Sequence, residues 1–166
     1  SAGEVAIRLS KVPSEQKLSL LQSEYFAYTT LCFAARCNHY PVITAILSSM
    51  TQADRLNLLL SSRITALHVA ATHGYSKSVS AILRSLSAKQ QLGLMRVRCS
   101  GKTAVQCAES SGNMNTVWIL RKSVQDAKII LDNQLSQNLM QSLHMKAVQQ
   151  SLVNKQTCEY LVLLPD

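Results

Sequence analysis

Three stretches of this chain can be laid over one another. Thr29-Thr30-Leu31-Cys32-Phe33-Ala34-Ala35-Arg36-Cys37-Asn38, Thr65-Ala66-Leu67-His68-Val69-Ala70-Ala71-Thr72-His73-Gly74 and Thr103-Ala104-Val105-Gln106-Cys107-Ala108-Glu109-Ser110-Ser111-Gly112 begin 36 and 38 residues apart. A second apolar group follows each: Val42-Ile43 with Ile46-Leu47, Val79 with Ile82-Leu83, Val117 with Leu120. The connectors repeat as well, Leu9 to Leu18 running parallel to Leu47 to Leu56 and to Leu83 to Leu92. This self-similarity constrains the fold more than any single residue does. A unit of that length cannot bury its apolar face alone, so neighbours must stack. Val5 to Leu9 then reads as the end of an earlier unit's second helix.

Within a unit the residue types dictate two helices and a stop between them. Gly74 and Gly112 tolerate the left-handed conformation that ends a helix, and Asn38 is the next most tolerant residue there. Pro41 stands where a helix begins and no amide donor is needed. Val79, Ile82, Leu83 and Leu86 share one helical face, as do Val42, Ile43, Ile46 and Leu47. Ala34-Ala35, Ala70-Ala71 and Ala108 are small enough for close packing of first helices.

The middle unit resembles the ankyrin repeat, whose first helix opens Thr-Pro-Leu-His and continues through Ala-Ala to Gly. Thr65-Ala66-Leu67-His68, Ala70-Ala71 and Gly74 fit that pattern, with Ala66 in the proline position. The outer units are looser: Cys32 and Gln106 replace His68, and Asn38 replaces the glycine. The resemblance covers roughly residues 5 to 125. It implies an all-α, ankyrin-like helical solenoid of about three helix-turn-helix repeats plus a partial N-terminal one. Their boundaries are placed at 1–26 (partial), 27–62, 63–100 and 101–125. It also implies that His68 bonds Thr65. The connectors are longer than an ordinary ankyrin unit allows. Thr51 and Ser87 are suitable N-caps, and Met50, Leu56, Leu59, Leu86, Leu92 and Met95 can face inward, so a third, short helix is expected in each connector. That puts the usual β-finger in doubt.

Beyond the array, residues 126–166 form a second region. Lys128 to Lys155 lacks Gly and Pro and carries Leu131, Leu135, Leu139, Leu143, Val148 and Leu152 at helical spacing. A helix capping the array, with Trp118 beneath it, is the expectation; self-association through residues 126–166 is the alternative. Residues 158–164, Cys-Glu-Tyr-Leu-Val-Leu-Leu, have strand character.

The net charge of +8 is unevenly placed. Eleven basic residues between Ala27 and Gln125 face two acidic ones, Asp54 and Glu109. Such a middle attracts acidic protein, nucleic acid or anionic lipid. The five cysteines cannot all pair and match no zinc spacing, so reduced thiols and a cytoplasmic or nuclear location are expected. No secretory signal and no membrane-spanning apolar run is present in the sequence. The opening Ser-Ala-Gly reads as the start of a piece of a longer protein.

Catalytic readings are weak. Cys32, Cys37 and His39 invite a thiol-protease reading, but Cys32 aligns with His68 and Cys37 with His73, which makes them repeat positions. Cys107 aligns with Val69 and reads as a core residue. Gly101-Lys102-Thr103 lacks the preceding glycine of a phosphate loop. No catalytic residue, metal site or cofactor is expected. What remains is a surface. In the resemblance, partners meet the turn before the first helix and the two residues after its alanine pair. By position those are Tyr28, Arg63, Ile64 and Lys102, then Arg36, Cys37, Thr72, His73, Ser110 and Ser111, with Arg96 and Arg98 adjoining. The expectation is a non-catalytic adaptor or scaffold fragment offering a basic concave stripe to an acidic protein segment. Nucleic-acid or anionic-lipid binding is the rival.

Overall fold

The computed structural model describes residues 2–22 and 29–162, with side chains at 3–13, 16–22 and 29–152. Its elements are ten helices, and no strand occurs among the described residues. They run α1 (Ala2–Ser10), α2 (Ser14–Gln22), α3 (Thr30–Arg36), α4 (Tyr40–Ser48), α5 (Gln52–Leu60), α6 (Ala66–Thr72), α7 (Ser76–Arg84), α8 (Ala88–Arg96), α9 (Ala104–Ser110) and α10 (Met114–Val162). Residues up to Lys128 form one compact unit and those from Ile129 onward a second.

The repeat is visible in every cap. Thr29, Thr65 and Thr103 each accept the backbone N–H three residues on, and so N-cap α3, α6 and α9. Those helices end at Asn38, Gly74 and Gly112, with φ of 55°, 73° and 71°. Gly74 is doubly constrained, because a Cβ there would meet Asn113 Oδ1 at 2.7 Å. Asn113 uses that approach to donate to the carbonyls of Ala71 and Thr72 in the preceding repeat.

Stacking joins like to like: α3 packs on α6 and α6 on α9, while α1 packs on α4 and α4 on α7. Val5 to Leu9 therefore does occupy a second-helix place. Ile43 and Val79 are fully buried, and so are Ile46, Ile82 and Leu120. One core runs from Leu9 to Leu120 without a break. Each such side chain contributes roughly 1.5–3 kcal/mol on burial.

The third helix of each connector is present as α5 and α8, capped by Thr51 and Ser87, and α2 holds the corresponding place. Met50, Leu59, Leu86 and Met95 are buried, and Leu56 and Leu92 half-buried. The finger does not vanish, however. Cys99 and Lys102 exchange backbone hydrogen bonds of 2.9 and 3.1 Å across Ser100 and Gly101, both at positive φ. That is the two-residue turn of a β-hairpin, shrunk to a single rung.

One side chain per connector also ties forward. Lys17 Nζ donates to the Ser49 carbonyl and Arg55 Nη1 to the Ser85 carbonyl. At the same register, the Ser123 hydroxyl donates to Gln91 Oε1.

Three expectations for the last region are corrected. Residues 158–162 are helical, the end of α10, and not a strand; Leu163 and Leu164 lie outside the described residues. A lone strand has no partner for its backbone, whereas extending an existing helix gains a hydrogen bond per residue. Trp118 is 58% exposed, with the Lys122 ammonium 4.9 Å from its ring centre. The inward face of α10 at this level carries Val117 and Leu120, which leaves position 118 on the opposite side. The helix expected from Lys128 is also no separate element, because α10 starts at Met114 as the third repeat's second helix and continues.

Candidate functional site

The links between repeats position the surface residues. His68 is buried and bonded on both ring nitrogens. Nε2 lies 3.2 Å from the Lys102 carbonyl, and Nδ1 lies 2.7 Å from Thr65 Oγ1. A carbonyl only accepts, so Nε2 carries the proton and Nδ1 accepts from the threonine hydroxyl. Burial lowers the pKa of His68 from its ordinary 6.5, and backbone carbonyls of Lys102 and Val97 oppose that shift. Neutral His68 thus fixes the turn that presents Lys102.

In the first repeat Cys32 does the same work. Its thiol donates to the Ile64 carbonyl at 3.1 Å and lies 3.3 Å from Ser62 Oγ, itself 3.2 Å from Thr29 Oγ1. This commits a buried thiol to structure, against the thiol-protease reading. Gln106, at the same place in the third repeat, turns back and accepts from the Thr103 backbone N–H in a capping box.

Of the twelve residues singled out by sequence, Tyr28 lies outside the described residues. Arg36, Thr72 and Ser110 end α3, α6 and α9, and Cys37, His73 and Ser111 are their C-caps. Arg96 ends α8; Arg98, Lys102, Arg63 and Ile64 lie in the turns before α9 and α6. All eleven are exposed. Lys102 and Ser110 are brought together, Nζ donating to Oγ at 3.0 Å, which joins the pre-helix turn to the end of the same helix. Arg98 donates to the Gly101 carbonyl, Thr72 to that of His68 and Ser110 to that of Gln106. His73 donates through Nδ1 to the Val69 carbonyl and stacks on Tyr75.

The two acidic residues between Ala27 and Gln125 are used locally. Asp54 accepts from Thr51 Oγ1 at the start of α5, and Glu109 pairs with Arg121. A second basic area, missed by sequence reasoning, lies in a groove lined by Tyr40, Thr44, Arg55, Lys77, Arg84 and Ser85. Two of its cations are already engaged: Arg55 holds the Met50 and Ser85 carbonyls, and Lys77 lies over the Tyr40 ring. Its signal was Lys77 and Arg84, seven residues apart and so on one face of α7. No group of three or more His, Cys, Asp or Glu side chains is placed to hold a metal ion among the described residues. Among those residues, too, no helix is long and apolar enough to cross a membrane.

Stacked helix pairs, threonine caps, left-handed stops and inter-repeat links together define a helical repeat scaffold. The family model for ankyrin repeats, in three copies, matches residues 31–133, and the chain belongs to that family. Ankyrin repeats are in general protein–protein interaction modules without enzymatic activity. No match to the chain is found among curated proteins or among solved structures.

Proposed function

We propose that this chain is the interaction part of a cytoplasmic or nuclear adaptor or scaffold, and that it binds an acidic segment of a protein partner without catalysing a reaction. The observation that carries this reading is the exposure of Arg63, Arg98 and Lys102 in the turns before α6 and α9, with Arg96 exposed at the end of α8. The carboxylates of the stretch from Ala27 to Gln125, Asp54 and Glu109, are occupied elsewhere. Arginine forks suit carboxylates, and the surrounding charge raises the encounter rate. Ile64, beside Arg63, supplies an apolar contact.

The test is affinity capture from the source cells with the wild-type chain and with an Arg63→Glu, Lys102→Glu variant, identifying what is bound by mass spectrometry. Proteins with acidic segments are expected on the wild type and depleted on the variant, while the circular dichroism melt stays unchanged. Equal capture by both would remove the basic surface from the reading. A fluorescent oligonucleotide titrated at two salt concentrations separates the nucleic-acid alternative, whose affinity falls about one log unit per log of salt for each phosphate contacted.

A further inference from the structure

Helix α10 beyond Ile129 carries an exposed seam with a symmetry of its own. Leu135, Leu139 and Leu143 are 70%, 59% and 54% exposed. At roughly 100° per residue, Leu135 and Leu143 lie about 40° to either side of Leu139. Between Ile129 and Leu152 the only charged residues in the sequence are Asp132 and Lys146. Each is seven residues from Leu139, they are opposite in sign, and each falls within about 20° of its direction. Ser136 and Ser142, three residues either way, flank the seam with small side chains. The face therefore reads Asp132, Leu135, Leu139, Leu143, Lys146, with spacings that are the same from either end.

We infer that this face pairs with the same face of a second copy of the chain, antiparallel, with the twofold axis passing through Leu139. That arrangement sets Leu139 against Leu139 and Leu135 against Leu143. Asp132 comes opposite Lys146 twice over, and the serines let the backbones approach. A parallel pair in register instead opposes like charges at both positions. The mean spacing along the face is about 3.5 residues, the coiled-coil value, and over the roughly 21 Å between the two charges a straight helix drifts from it by only about 20° to either side of Leu139. The complementarity of the charges identifies the occupant as another copy and sets its direction. The proposal stands independently of the binding surface on the array.

Sedimentation equilibrium of the full chain at low salt tests it. The wild type is expected to form a reversible, concentration-dependent dimer. Leu139→Glu, at an exposed site, is expected to stay folded by circular dichroism and to be monomeric throughout. Asp132→Lys and Lys146→Asp are each expected to weaken the dimer roughly tenfold. Mixing those two variants, or combining both changes in one chain, restores wild-type affinity. A wild type that is monomeric at every concentration overturns the inference, as does a Leu139→Glu chain that still dimerises. Single charge variants as tight as wild type, with their mixture tighter still, would show parallel pairing and overturn it equally.

Discussion

His68 and Cys32 hold the same place in adjacent repeats, and each reaches the carbonyl just ahead of the next repeat's capping threonine. The imidazole does so with one ring nitrogen while the other takes the hydroxyl of its own cap. The thiol is shorter and has one function, so Ser62 supplies the contact to Thr29 that a second ring nitrogen makes in the middle repeat. What the array conserves between these two units is the acceptor and its position. The donor varies, provided a neighbour covers what is lost. The two solutions differ in one further respect, because the middle link contains an imidazole, whose pKa burial lowers.

The harshest way to break the equivalence is through the core. Leu67→Ala and Leu31→Ala remove equally buried side chains at matching places, and each is expected to cost about 2–5 kcal/mol in urea unfolding. A much cheaper change at Leu31 would show that the first repeat lies outside the common core. Next come the links. His68→Ala removes one of the two donors to the Lys102 carbonyl and the acceptor of the buried Thr65 hydroxyl proton, and is expected to cost about 1–3 kcal/mol, whereas Ser62→Ala should cost about 1 kcal/mol by the same measurement. Equal losses would mean that Ser62 carries as much of its link as His68 does. A third comparison uses the helix stops. Gly74→Ala and Gly112→Ala both place a Cβ at positive φ, at about 1 kcal/mol, but only at Gly74 does it also strike Asn113. The difference between the two melting temperatures isolates the Asn113 link, and identical melts would deny it.

The smallest effect is in pH. The pKa of His68 is lowered in the folded state, so below about 6.5 the unfolded chain binds the proton more readily. The stability that depends on neutral His68 is present above that value and is lost as pH falls toward the folded-state pKa. A His68→Gln chain is expected to show a flatter stability profile between pH 7 and 5. Parallel profiles for the two chains would place the pH dependence elsewhere.

Much of this was legible in the residues. Thr65-Ala66-Leu67-His68 and Gly74 specified a cap, a core leucine, a local hydrogen bond and a left-handed stop, each decided within a few positions of chain. The connector helices followed from Thr51 and Ser87 for the same reason. Contacts between repeats were not legible. Nothing near His68 in sequence marks the Lys102 carbonyl as its second partner, and the reach of Lys17, Arg55 and Gln91 depends on how one unit is set on the next. The strand character of Cys158 to Val162 misled because propensity was weighed without the helix already running into it. On the surface, the eleven described positions that the repeat pattern singled out are exposed, but the pattern gave no sign that Lys102 leans on Ser110 or that Arg55 is taken up by backbone.

The forward ties at Lys17, Arg55 and Gln91 have an evolutionary corollary. Every middle module owns both halves of the joint, a long polar arm at one edge and a serine partner at the other. Copying the segment between Arg55 and Ser85 in tandem would deliver matched ends to each new junction. Such a chain can lengthen by duplication at once, and chemical individuality, as at Cys32 and Gln106, can accumulate afterwards.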